Sequence, residues 1–213
     1  MGAVAICRIL IAAGCDLRCR NAQCFRPLLL AAETNQLHTF AAVAAACRAS
    51  GDLGDVAADK GNGYTVLHFA AINNNVGLLV AALKFDAYRV PDIIDARSSY
   101  ETTGADNAVS ADAVNVMAQT ALHKAVLYDF RDCVSVLLDA GANPDIADNK
   151  GRGPLHSAVT RNNVALTKLL LKHRADPNLR DAARETIMEK DAKNEGFRGA
   201  TRRPFRRRPG CIS

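Results

Sequence analysis

"YTVLHFAA" (Tyr64–Ala71), "QTALHKAV" (Gln119–Val126) and "RGPLHSAV" (Arg152–Val159) share one pattern, Leu-His followed one residue later by Ala. The histidines set the ruler. His123 and His156 are 33 residues apart, and a further 33 reaches Glu189 in "ETIMEKDA", a worn copy that keeps Thr186 and Met188. Backwards, His68 lies 55 residues before His123, 22 more than the period. Leu29 in "FRPLLLAA" lies 39 before His68, six more. Repetition at a period of this length marks units that bury their apolar faces only by stacking on one another.

Each position of the unit has a local reason. Thr65 and Thr120 suit the cap of a first helix, and Pro27 and Pro154 its first turn, where a missing N–H costs nothing. Second helices follow as "CVSVLLDAG" and "ALTKLLLKH", with Leu137, Leu138, Leu169 and Leu170 on the side to be buried. Gly14 and Gly141 stand where a left-handed C-terminal cap is wanted; Asp86 and Arg174 hold that place in their own units. Gly63 and Gly151 fill the turn ahead of the first helix, and Cys24, Ala118 and Arg184 replace them elsewhere.

A 33-residue period carrying this T-P-L-H-x-A phrase resembles the ankyrin repeat, over about Ala3 to Glu195. The resemblance implies an all-α repeat solenoid: two helices per unit, joined by β-hairpin loops. It also implies that the histidine bonds the backbone of the neighbouring hairpin. The expected organisation is an array over 1–196, with a truncated unit at 1–16 and units at about 21–50, 59–87, 115–141 and 148–174. A degenerate unit follows at 181–196. An insertion spans about 88–114, and 197–213 is an Arg-rich tail. "AVAICRILIAAGCD" reads as a second helix without its first, leaving Cys7, Leu10 and Ile11 as an uncovered apolar edge. The expectation is a fragment of a longer array, the alternative an edge covered by a partner. In the insertion, Pro91, Gly104 and a middle rich in Ser, Thr and Asp suggest a mobile loop.

Composition narrows the function classes. No apolar run approaches the ~20 residues that span a bilayer. Ile6 spoils a myristoylation motif and Cys211 sits one residue too late for prenylation. Seven cysteines without a C-x-x-C pair point to a reducing compartment, cytoplasmic or nuclear. Cys15, Cys19 and Cys24 crowd one hairpin but lack a fourth ligand at zinc spacing, so no metal site is expected. No nucleophile pattern, phosphate loop or H-E-x-x-H appears, and the reading is a non-enzyme without catalytic residues or cofactors.

The net charge of +5 is unevenly held. Arg198, Arg202, Arg203, Arg206, Arg207 and Arg208 follow the last acid, Glu195, and removing these six leaves −1 on the rest. The tail reads as a disordered basic segment. Its Arg202, Arg203, Arg206, Arg207 and Arg208 suit a nuclear-localisation signal, or phosphate neutralisation on a nucleic acid.

What such an array offers is a concave face made of hairpin tips and the free side of the first helices. Repeat register assigns to it Gln23, Phe25, Glu33 and Thr34; Asn62, Tyr64, Ile72 and Asn73; Met117, Gln119, Leu127 and Tyr128; and Asn149, Lys150, Arg152, Thr160 and Arg161. Tyr64, Tyr128, Arg152 and Arg161 rank first, because Tyr and Arg most often anchor interfaces. The expected partner is a protein, met by a chain that is monomeric when free.

Two details resemble the inhibitors of NF-kappa-B. One is the six-residue lengthening before "NGYTVLHFAA"; the other is "TALHKAVLYDFRDCVSVLLDAGANPD", which looks like their fifth repeat. The array then corresponds to the end of their second repeat through their sixth, and the resemblance implies a Rel-homology dimer as partner. Their acidic tail is replaced here by "RRPFRRR". Generic ankyrin scaffolding is the alternative.

Overall fold

The computed structural model describes residues 2–21, 25–50, 63–85, 93–98 and 118–189. The described chain is mostly helical. Its helices are α1 (Gly2–Ala12), α2 (Pro27–Glu33), α3 (Leu37–Ala49), α4 (Val66–Ile72), α5 (Val76–Leu83), α6 (Ala121–Leu127), α7 (Arg131–Asp139), α8 (Pro154–Thr160) and α9 (Val164–Lys172). Extended pairing among the described residues is limited to a single bridge, Arg180 with Thr186.

Helices pack in sequential pairs, α2 on α3, α4 on α5, α6 on α7 and α8 on α9. The short first helices α2, α4, α6 and α8 then touch in that order, and so do the second helices α1, α3, α5, α7 and α9. Small residues permit the close approach: Ala32, Ala70, Ala71, Ala125 and Ala158 are fully buried along the first helices. Leu78, Leu79, Leu137, Leu166 and Leu170 fill the layer beneath them. Leu138 is buried as expected, whereas Leu169 is only half-buried.

The first helices start in two ways. Thr65 and Thr120 are the N-caps, and Pro27 and Pro154 stand in the first turn of their helices. The worn copy keeps the logic with different chemistry. Thr186 N–H donates to Glu189 Oε2 at 2.8 Å, and Glu189 N–H to Thr186 Oγ1 at 3.4 Å, a capping box in which Glu189 stands where the other units have histidine. The turns between helices use a device absent from the sequence reading: Asn35, Asn74, Asp129 and Asn162 all adopt positive φ. Asn and Asp tolerate that left-handed region better than other side chains.

The hairpins share one closure. Asp148 N–H donates to Arg152 O at 2.9 Å while Arg152 N–H donates to Asp148 Oδ1 at 2.9 Å. Asn21 with Phe25 and Asp181 with Glu185 repeat the pattern. So does Ser98 with Gln119: Ser98 N–H to Gln119 O at 2.9 Å, and Gln119 N–H to Ser98 Oγ at 3.0 Å. These partners are 21 residues apart where Asp148 and Arg152 are four apart. Most of the extra chain therefore enters at a hairpin tip.

That corrects the reading of 88–114 as one loop. Within it, Ile93, Ile94 and Ser98 are buried, and Asp95 Oδ1 accepts from Asn143 N–H at 2.9 Å. Ile93 and Ile94 lie in a short helical turn, and Ala96 to Ser98 lead from it into the closure with Gln119; the apolar pair between Asp residues was too brief to stand out in sequence. The N-terminal edge also differs in detail. Cys7 and Ile11 turn partly inward, and Ile11 packs on the core; Ile6, Ile9 and Leu10 are the exposed apolar side chains of α1. The expectations at Gln23, Cys24, Asn62, Asp86, Met117 and the Arg-rich tail lie outside the described residues.

Candidate functional site

The three motif histidines are fully buried, and two show plainly what they do. Thr65 N–H and the Thr65 hydroxyl lie 3.2 and 2.9 Å from His68 Nδ1. A backbone N–H can only donate, so Nδ1 carries no proton and Nε2 does. Nε2–H then donates to Gln119 O at 2.8 Å, on the next hairpin. His123 repeats this with Thr120 N–H at 3.3 Å and Arg152 O at 3.1 Å. Burial is the largest influence on both rings and holds each well below the ordinary value, at about 4, against the opposing pull of the carbonyl. Both are neutral structural clasps. His156 Nδ1 accepts from Gly153 N–H at 3.2 Å. Among the described residues no group of three or more His, Cys, Asp or Glu side chains is placed to hold a metal ion. No described helix is long and apolar enough to cross a membrane.

The residues assigned to the free face separate into three groups. Glu33, Thr34, Tyr128, Asn149, Lys150, Thr160 and Arg161 are exposed. Ile72, Asn73, Leu127, Arg152 and Tyr64 are half-buried. Phe25 and Gln119 are buried, and for these two the assignment to a free face is corrected. Phe25 packs edge-on against Phe69 at 6.1 Å between ring centroids. Gln119 is turned inward by its hairpin, with its carbonyl held by His68 and Ser98.

Tyr64 also does more than face solvent. Its ring stacks on His68 at 5.4 Å, meets the Phe69 edge at 5.5 Å, and carries Lys124 Nζ over its face at 5.3 Å. It packs on the core as well as showing an edge to water. Tyr128 lies at the end of α6, 49% exposed, and its ring stacks at 5.8 Å on Phe130. Arg152 is half-committed too: its guanidinium bonds Asp148 Oδ2 at 2.9 Å. Burial pushes the Asp148 carboxyl upward, but hydrogen bonds from Arg152 and Lys150 outweigh it and hold the carboxyl below the usual carboxylate range.

Paired helices with buried histidine clasps, and polar and aromatic side chains along the first helices, define a helix-pair repeat array. Residues 98–181 match the family model described as ankyrin repeats (3 copies). The chain is similar to a putative ankyrin repeat protein of fowlpox virus, with 48% identity over 67 residues, 31% of this chain and 20% of that protein. It is similar to the human BCL-6 corepressor-like protein 1, at 37% over 70 residues, 33% of this chain and 4% of that one. It is also similar to the mouse B-cell lymphoma 3 protein homolog, at 37% over 92 residues, 43% of this chain and 20% of that one. The chain thus spans a fifth or less of the length of these relatives. Ankyrin repeats are protein-interaction modules, and residues 98–181 are similar to them.

Proposed function

We propose that this chain docks on another protein through the free side of its first helices and its hairpin tips, and that the partner is a Rel-homology dimer. The repeats then form one continuous solenoid over about 1–196, with 197–213 as a separate nuclear-localisation segment. Tyr128 carries the docking part. It is a large aromatic, half-exposed at the end of a first helix, and the equivalent place one repeat on is held by exposed Arg161. Tyr and Arg are the side chains whose truncation most often costs binding. The Rel assignment rests on the resemblance of Thr120–Asp145 to the fifth repeat of the inhibitors of NF-kappa-B.

A second reading is a generic ankyrin adaptor. It is favoured by the spread of the relatives, which include neurogenic locus notch homolog protein 1 alongside those above. The test uses immobilised Rel-homology dimer and the full chain. Binding that weakens 10- to 100-fold on Tyr128→Ala supports the reading, as loss of a buried anchor of about 1–3 kcal/mol does. A dimer that binds neither chain sinks the Rel assignment and leaves the adaptor.

A further inference from the structure

Four cations stand on neighbouring elements of the proposed docking face. Lys124 is on α6 and Arg161 ends α8, which packs directly on α6. Lys150 and Arg152 stand on the hairpin that His123 clasps. Lys150 and Arg161 are exposed, and Lys124 and Arg152 half-buried. The carboxylates nearby are fewer. Asp148 is buried beneath Arg152, bonded to its guanidinium and to the N–H groups of Lys150 and Arg152. Asp129, exposed after Tyr128, accepts from the neutral Asn163 amide and keeps its charge, so the cations remain in excess. Glu185 lies half-buried on the following hairpin, its N–H donating to Asp181, and Glu33 is two first helices away on α2. No carboxylate among the described residues pairs with Lys124, Lys150 or Arg161. Beyond burial and the carbonyl bond, Lys124 pushes His68 down, whereas at His123 the upward pull of Asp148 is larger than the push of either Arg97 or Arg152.

We infer that the partner segment received here is acidic: a polypeptide stretch rich in Asp or Glu that carries an apolar or aromatic side chain for the surface beside Tyr128. This rests on the docking reading above and gives the partner's chemistry. Uncompensated charge of one sign on a face sets the sign of what approaches it and speeds the encounter. The patch is mixed, with Tyr128 and half-buried Leu127 among the cations. That mixture favours a polypeptide over a bare phosphate chain, for which the closely spaced arginines of the tail are better suited.

The tail would itself attract acidic probes, so the test uses two full-length chains. One is unaltered; in the other, Arg202, Arg203, Arg206, Arg207 and Arg208 are replaced by Ser. A fluorescent peptide of alternating Glu and Tyr, its Lys counterpart and a single-stranded DNA oligonucleotide are titrated by anisotropy. The acidic peptide is expected to bind the tail-substituted chain, to lose at least tenfold in affinity between 50 and 200 mM salt, and to lose at least tenfold on combined Lys124→Glu, Lys150→Glu and Arg161→Glu. Should that charge-reversed chain misfold by circular dichroism, the Gln versions of the same three replace it. Acidic-peptide binding that disappears with the tail arginines, or is indifferent to the three face substitutions, overturns the inference. So does DNA binding at the same face with equal affinity. Rel-homology dimer binding that falls on Tyr128→Ala but is unmoved by charge reversal overturns it too, while leaving the docking reading in place.

Discussion

His68 Nε2 lies 2.8 Å from the carbonyl oxygen of Gln119, 51 residues further along the chain. The matching bond from His123 to Arg152 spans 29. The same clasp therefore closes two loops that differ by the whole of the extra 22 residues, so the insertion leaves the stacking of α4 on α6 as it is elsewhere. Each clasp works only with a neutral ring, because a protonated Nδ1 could not accept from the threonine N–H.

The clasps therefore make stability depend on pH. In the unfolded chain these histidines titrate near 6.5, and in the folded chain at about 4. Between those values the unfolded state binds more protons, so stability rises with pH across the window and is lost as pH falls through it. Denaturant melts at pH 7.5 and 5.0 should differ by up to about 2 kcal/mol for each clasped histidine. His68→Ala should cost about 2–4 kcal/mol at pH 7.5, through the cavity and the lost hydrogen bonds, and flatten part of that dependence. An unchanged pH dependence in the variant would show the ring is not held neutral.

Tyr64 and Tyr128 rank together in the sequence, but the structure separates them. Tyr128→Ala should leave stability within about 0.5 kcal/mol, since half its surface is in water. Tyr64→Ala should cost about 1–3 kcal/mol, because it removes contacts with His68, Phe69 and Lys124 together. Leu137→Ala, at a fully buried site, should cost about 2–5 kcal/mol. Urea midpoints of the three variants check the order. Equal midpoints for the two tyrosines would return Tyr64 to the free surface.

What sequence made legible here follows from period. Thr65, His68, Thr120 and His123 recur at fixed places, and their caps and clasps could be expected from that recurrence. Phe25 and Gln119 were misplaced because register says where a residue sits in a unit, not whether a neighbouring ring or hairpin covers it. Phe69, at the variable position of its phrase, and Ser98, outside any phrase, supply that cover. The left-handed turn residues Asn35, Asn74, Asp129 and Asn162 do form a series, "TNQ", "NNN", "YDF" and "RNN". A search keyed to glycine passes over them.

The insertion gives a third test. Ser98 and Gln119 are joined by two hydrogen bonds, as Asp148 and Arg152 are with only Asn149, Lys150 and Gly151 between them. Replacing 99–118 by Asn-Lys-Gly should therefore preserve the fold and raise stability by about 1–2 kcal/mol through the shorter closed loop. Ile94→Ala, just outside the excised stretch, should cost about 2–5 kcal/mol, since its side chain is buried. A shortened chain that unfolds, or a harmless Ile94→Ala, would mean the hairpin is drawn in the wrong place.

The hairpin turns supply the last prediction, in which opposite substitutions at two equivalent sites have opposite signs. Gly151 has φ +72°, and Ala118 holds the corresponding place ahead of α6 with φ +39°. An L side chain in this region costs roughly 1 kcal/mol, so Ala118→Gly should relieve strain and stabilise by up to about that much, less the entropy a glycine adds to the unfolded chain. Gly151→Ala meets a second obstacle. Its Cβ would lie 2.5 Å from Ala182 N and 2.8 Å from Asp181 C, both backbone atoms that cannot rotate away. Ala182 N–H donates to Lys150 O at 2.9 Å, so the clash would force apart the bond joining this hairpin to the next. Strain and the lost bond together should cost about 2–4 kcal/mol, and the damage should be greatest beyond α8. Hydrogen exchange would show faster amide exchange at Ala182 and Arg184 in Gly151→Ala, with α4 and α6 protected as before. Uniform loss of protection along the array would instead mean that the hairpins are coupled too tightly for one contact to fail alone.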